Sequence, residues 1–378
     1  MSLRQAAAAS RSTAPGLGAI GIFWGSFAAM VPAYKLRADV SDAQMGTALI
    51  CTAVGGMAAM AMAPRLRRWL GARTLPVSAG LLALAAFLPV GIHSAASMAV
   101  VLVLMGAAMS SLDIAVNVRV SETESRTGLP LMNFNHAMFS FGFAVAALAV
   151  GLARRAGLGP EQIQPAVGLA LLAMAPLTWE RSVPAAPGAG GPAARTPWPA
   201  VLPAAAILFA AFVTENATEA WSALHIERSL GGRPGEGALG PATMGLTMGL
   251  GRMAGQMLAL RLGEARLVAG SALLAAVGAL LIAAAPVQWL AVTGVAVVGA
   301  GIAVLVPSAN SLLGRRVAPE QLAIAIARAW MIGFTGFFIG PVAMGLMAET
   351  MGLRLAFAAI ALVVLTILVS LRGLRRHP

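Results

Sequence analysis

The sequence predicts an all-α integral membrane protein of twelve transmembrane helices arranged as two pseudo-symmetric six-helix bundles, and three observations lead there. Hydrophobic residues make up 59% of the chain and charged residues 11%, where a soluble domain carries about a quarter charged residues. Apolar segments recur along the whole chain from Gly16 to Leu371, each near the roughly 20 residues a membrane-spanning helix needs. Closed barrels also satisfy every backbone group in lipid, but they are built from short alternating strands, and these runs are long and continuously apolar.

The expected spans are 16–34, 43–63, 74–92, 97–118, 131–153, 165–179, 200–222, 241–260, 267–285, 288–313, 327–348 and 352–371. An even number puts both termini on one side, and the arginines choose the side. Seventeen basic residues fall on the side that carries the termini, among them Arg4, Arg65, Arg67, Arg68, Arg119, Arg315 and Arg376. Seven fall on the other: Lys35, Arg37, Arg154, Arg155, Arg228, Arg233 and Arg354. Both termini are therefore expected in the cytoplasm, in a membrane of the bacterial inner (cytoplasmic) type.

The net charge of +12 reads as this topological bias and not as a nucleic-acid footprint, because the basic residues sit at span ends and do not gather on one face. The first span is read as an uncleaved helix, since further spans follow it. Cys51 is the only cysteine and lies in the second span, so no intramolecular disulfide or thiolate metal site is expected. Lys35 is the only lysine, and no phosphate-binding glycine loop with its lysine occurs, which gives ATP-driven chemistry no support. No cofactor and no enzymatic constellation is expected.

The stretch "VPAAPGAGGPAARTPWP", 183–199, holds five prolines among small residues and reads as a cytoplasmic linker. It separates an N-terminal six-helix bundle, 1–182, from a C-terminal one, 200–378. Internal similarity supports the division. "MGAAMSSLDIAVN" (105–117) lies beside "VGAGIAVLVPSAN" (298–310), and "GFAVAALAVGLA" (142–153) beside "GFFIGPVAMGLM" (336–347) at a nearly constant offset.

Asp113 is the only charge between Ala95 and Val118. On a helix Gly106, Ser110, Asp113 and Asn117 form one small, polar stripe. A charge at the bilayer centre costs at least about 2.5–3.5 kcal/mol, so this stripe is expected to face protein or water. Helix 7 carries a second stripe, with Glu215, Thr218, Glu219 and Ser222 in line and Asn216 and Trp221 beside it. Arg252 stands near the middle of the eighth span and cannot plausibly deprotonate, so it needs a carboxylate or water. Glu215 is the first candidate partner by depth and Asp113 the second. Arg328, near the start of the eleventh span, is expected to snorkel to the interface. His136, with Asn133 and Ser140 along the same helix, is read either as a substrate or proton contact or as a satisfied core histidine.

Twelve spans as six plus six with a cytoplasmic linker, and the basic loop "PRLRRWLGAR" (64–73) echoed by "LRLGEAR" (260–266), resemble the major facilitator superfamily (MFS) of secondary transporters. "LDIAVN" (112–117) followed by "LMNFNHAMFSFG" (131–142) is similar to the fucose permease branch and its bacterial relatives. That resemblance implies Asp113 as a proton-accepting carboxylate, with Asn117, Asn133 and His136 at or near sugar-contacting positions. Helix 1 lacks the acidic residue those permeases use. The family fold also implies that helices 1, 4, 7 and 10 line a cavity, which adds Asn216 and Asn310 as substrate contacts, Trp24 and Trp221 either as ring-stacking contacts or as packing or interface aromatics, Glu215 as a further proton-coupling group, Glu219 either as another in the cavity or as a solvent-exposed acid, and Arg252 as an ion-pair or gating residue. The expected function is a proton-coupled secondary transporter of a sugar or similar small polar solute, acting as a monomer in the lipid bilayer with the solute and protons as its partners. A proton-antiport exporter of drugs or metabolites is the alternative, and a receptor built on the transporter fold a more distant one.

Overall fold

In the computed structural model, which describes residues 3–180 and 196–376, the described chain is helical with no strand. Most of the proline-rich linker lies outside the described residues. A short α1 (Leu3–Ala9) leads into α2 (Thr13–Ala38), α3 (Asp42–Leu70), α4 (Thr74–Ala85), α5 (Ala95–Thr127), α6 (Met132–Arg155) and α7 (Pro160–Met174). After the linker come α8 (Trp198–Leu224), α9 (Leu239–Leu262), α10 (Glu264–Ala284), α11 (Gln288–Ile302), α12 (Leu305–Gly314), α13 (Pro319–Gly333), α14 (Thr335–Met351) and α15 (Leu353–Arg376). Among the described residues, nine helical segments are long and apolar enough to cross a membrane, three of them running through more than one of these helices.

Local chemistry sets the boundaries. Ser41 caps α3 in a reciprocal box with Gln44, and Ser94 caps α5 with Ser97; each box satisfies amide groups that a helix start leaves without partners. Gly128 ends α5 in the left-handed region at φ 69°, and the Glu124 carboxylate accepts from the backbone N–H of Met132 at 2.8 Å, covering the start of α6.

The expected tenth span is two helices, broken at Ala303 and Val304. Pro307 explains the break: it brings no N–H for the carbonyl of residue 303, and its ring crowds that carbonyl. The eleventh span likewise divides at Phe334, and its first helix begins at Pro319, well before the expected start at 327. The sixth span, expected at 165–179, is α7 from Pro160 followed by a 3₁₀ turn over Ala175–Thr178.

Glycines let the helices come close. Gly55 of α3 faces the carbonyl of Val103, and Gly106 of α5 faces that of Thr52, so a β-carbon at either position would collide with backbone. Gly21 and Gly25 of α2 meet the backbone of α6 at Phe139 and Phe143 in the same way. Residues before and after the linker meet where α6 packs on α9, α3 on α14 and α2 on α8, and Gly46 and Gly345 face one another across the α3–α14 contact.

Gly55→Val is expected to push α3 and α5 apart and cost about 1–3 kcal/mol, whereas Gly80→Ala on α4, where nothing lies within 4 Å, should be neutral or stabilising by up to about 1 kcal/mol. Thermal melting of the purified protein in detergent separates the two: the first variant melts earlier than wild type and the second does not.

Candidate functional site

Four helices bring polar side chains together in the interior. Arg252 of α9 donates to Glu215 Oε1 on α8 at 3.2 Å and to Ser140 Oγ on α6 at 2.6 Å. Ser140 in turn donates to the backbone oxygen of His136, one turn earlier, at 3.2 Å. Glu219, one turn beyond Glu215, is buried near Glu215, Arg252 and the Trp24 indole of α2. Trp24 stacks on Phe27, with ring centroids 5.3 Å apart, and Phe27 on Tyr34 at 5.4 Å.

The guanidinium thus takes the nearer of its two expected partners, Glu215, and leaves Asp113 alone. The pair is only 16% and 13% exposed. Withdrawal from water is costly for both ions, and their attraction with the extra hydroxyl contact offsets it. Ser140 makes the arrangement more than a bridge within the C-terminal helices, because it ties α9 to α6 across the interface. Gly245 and Gly249 permit the approach: they lie against Ser140, Phe141 and Phe143 of α6, and Arg252 follows on the same helix. The sequence signal for Ser140 was its place as a lone hydroxyl in the apolar run after His136.

Asp113 stands apart on α5, half-buried. Asn117 donates one amide to both the Asp113 backbone oxygen and Oδ1, each at 2.9 Å. No cation pairs with Asp113 among the described residues. The rest of its stripe packs against α3, with Ser110 beside Gly56 and Gly106 beside Thr52. A third polar group sits on the C-terminal helices, where Trp330 of α13 donates its indole N–H to Asn310 Oδ1 on α12 at 3.1 Å. Phe212 of α8 meets Trp330 edge-on at 5.5 Å, and Phe334 meets Phe212 and stacks on Phe337.

The other expected residues fall outside these groups. Trp221 is fully buried in the hydrophobic core, so its ring packs against protein. Asn133 is exposed at the start of α6; its neighbour Asn135 is buried and donates to Ser10 Oγ at 2.8 Å and to the backbone oxygen of Leu131 at 2.9 Å. Asn216 is buried on α8. Arg328 is exposed. Glu219 had an expected choice between cavity and solvent, and it is inside. Among the described residues no group of histidine, cysteine, aspartate and glutamate has the geometry to hold a metal ion.

Ion pairs also join the two sets of helices at one end of the molecule. Arg154, at the end of α6, grips Glu227 through both nitrogens at 2.6 and 2.9 Å and donates to the Ala29 carbonyl at 3.0 Å. Arg228 grips Asp42, in the first turn of α3, at 2.7 and 2.6 Å, and Lys35 adds a contact to Asp42 at 3.3 Å. At the opposite end Arg67 and Arg119 hold Glu122, and Arg119 also holds Glu180, all before the linker.

Arg252→Met should cost about 3–5 kcal/mol, because it strands the Glu215 carboxylate away from water. Adding Glu215→Leu should recover most of that loss. Melting midpoints of the two variants in one detergent decide it; a single variant as stable as wild type contradicts this account of the pair.

Residues 204–378 match the family model of the Major Facilitator Superfamily. An uncharacterized MFS-type transporter of Yersinia pestis is 30% identical over 361 residues, covering 94% of this chain and 93% of that protein. Among solved structures, a bacterial homolog of the human lysosomal transporter Spinster, inward-facing and unoccupied, superposes with a TM-score of 0.75 at 14% identity, covering 99% of this chain and 98% of the other. A mutant of the nucleoside transporter NupG gives 0.74 at 15% identity, covering 96% and 98%. With its helical architecture, its interior ionic cluster and a relative similar along nearly its whole length, the chain belongs to the major facilitator superfamily and is a multi-pass membrane transporter of that type.

Proposed function

We propose that the protein is a proton-coupled secondary transporter of a sugar or similar small polar solute, working by alternating access between the bundles 1–182 and 200–378. The observation that carries the proposal is Asp113. It is a carboxyl in an apolar helix with an asparagine beside it and no cation among the described residues, so no fixed charge balances it when it is ionised. A proton is the smallest species that can neutralise it, and intramembrane acids of this kind mark ion and substrate paths. The short resemblance of 112–117 and 131–142 to fucose permeases supports the sugar class, and Asn117, His136 and Asn310 supply hydrogen-bonding groups that suit a hydroxylated solute. Glu215, Glu219 and Arg252 form a second ionic group through which the state of charge is linked to helix packing.

By the distribution of arginines the termini are cytoplasmic in an inner-type membrane. The end tied by Arg154–Glu227 and Arg228–Asp42 is then the outer end, so this conformation is closed to the outside. In this reading the protein acts as a monomer and moves its solute without chemical change.

One observation favours an exporter of flatter, more apolar compounds. Phe212, Trp330, Phe334 and Phe337 form an aromatic group beside Asn310, a surface suited to stacking.

In proteoliposomes loaded with a pH dye, addition of the transported sugar or polyol should move protons with wild type and not with Asp113→Asn, while the mutant retains exchange of labelled solute. Proton-coupled transport at the wild-type rate by Asp113→Asn would exclude the role given to Asp113. Failure of every sugar with folded protein, together with proton release driven by aromatic compounds, would favour the exporter.

A further inference from the structure

Helix α8 does not end as an α-helix. Residues His225–Ser229 continue it as a single π-helical turn, a rare geometry in which each hydrogen bond closes over one more residue than in an α-helix. The segment has its own supports. The backbone N–H of Gly232 donates to the Ile226 carbonyl at 3.0 Å, and the His225 ring lies 3.3 Å from the carbonyl of Ile282 on α10.

Two consecutive residues of this turn, Glu227 and Arg228, make the two ion pairs that, among the described residues, cross between the sets of helices. They have opposite charge and reach different elements, Arg154 at the end of α6 and Asp42 at the start of α3. Three of the four groups are well covered, Asp42 at 5%, Arg154 at 7% and Glu227 at 12% side-chain exposure, while Arg228 at 42% meets water. A cavity of about 350 Å³, bordered by Lys35, Asp39, Glu227 and Arg228 among others, brings solvent to the pairs.

The register of the turn decides whether both pairs can exist. A π-turn closes i to i+5 and holds one more residue than an α-turn. Glu227 and Arg228 lie inside the turn, and returning it to the tighter winding of an α-helix carries each successive residue of the turn further round the axis of α8. Glu227 and Arg228 would swing away from their partners together. We propose that the turn His225–Ser229 is a register switch for this end of the transporter: in the π form it presents an acid and a base to two elements at once and holds the end shut, and conversion to the α form releases both pairs in one step. The proposal uses the alternating-access part of the functional reading but no particular solute or proton role.

The test measures the closed and open populations directly, without transport. In the full-length protein carrying Cys51→Ser, spin labels at Leu158→Cys and Val287→Cys report the separation across this end by pulsed electron–electron resonance in lipid nanodiscs. Arg228→Asp alone and Asp42→Arg alone should each raise the open-to-closed ratio on the order of tenfold, and the double charge swap should restore the short distance. Glu227→Gln and Arg228→Gln should be non-additive, since loss of either pair lets the turn release the other, so the double variant opens little further than each single. Deleting Ser229, which removes the extra residue, should match that double variant and add nothing when combined with it.

Singles that leave the distance distribution unmoved would overturn the latch. Fully additive effects of Glu227→Gln and Arg228→Gln would overturn the shared switch, and these two substitutions preserve chain length, so they decide the matter even if the Ser229 deletion does not fold. A lost proton signal in the Asp113 experiment would leave this result untouched, and the reverse also holds.

Discussion

A guanidinium inside a lipid-surrounded helix bundle cannot shed its charge, and much of the interior is arranged around that fact. Arg252 has to be paired, and the pairing recruits three helices: α9 carries it, α8 supplies Glu215 and α6 supplies Ser140. Close approach of α9 and α6 is what puts Ser140 within reach, and that approach in turn requires Gly245 and Gly249 where larger side chains would hold the helices apart. Without a hydrophobic drive between helices in lipid, packing of small residues and a few polar contacts have to supply the association. Here the polar contact and the glycine face occupy the same stretch of α9, so each makes the other possible.

The balance of charge along the interior then separates two kinds of acid. Glu215 is held by a fixed cation that also lies near Glu219, while Asp113 has only an amide for a neighbour. A fixed cation makes a carboxylate a structural element, since its charge is balanced in every state that preserves the pair. An amide donates a hydrogen bond without cancelling charge. The second kind, here Asp113 on α5, carries a charge that no fixed cation among the described residues cancels.

Much of this was legible in the sequence because lipid enforces simple rules. Long apolar runs had to be helices, and Arg252 had to find an acid near its own depth, which pointed to Glu215. What the sequence hid is geometry within uniformly apolar stretches. The divided tenth span carries its signal in Pro307 alone, because the surrounding residues are as hydrophobic on one side of the break as on the other. Trp221 looked like a ring beside a polar stripe, yet on a helix packed on nearly every side, residues next to a stripe are as buried as those opposite it, and Trp221 is fully covered. Asn133 and Asn135 show the same limit: two residues apart on a helix they face nearly opposite directions, and only packing tells which one points inward. Ion pairs such as Arg154–Glu227 join residues 73 positions apart, a distance over which sequence periodicity carries no information.

The placement of these features on α8 has a consequence for how motion could pass through the molecule. Glu215 and Glu219 lie about one turn apart in its C-terminal half, Glu219 near Trp24 of α2, and the helix ends in the turn that bears Glu227 and Arg228. Coupling between two distant sites needs an element with two discrete arrangements that both sites bias. A regular helix offers no second arrangement along its length, because its hydrogen bonds fix one register from end to end. The π-turn supplies one, at the point where the helix passes from the buried acids to the crossing ion pairs. A change in charge at Glu219 that shifts α8 against α2 would therefore reach the end of the helix as strain in the one segment able to relieve it by changing register.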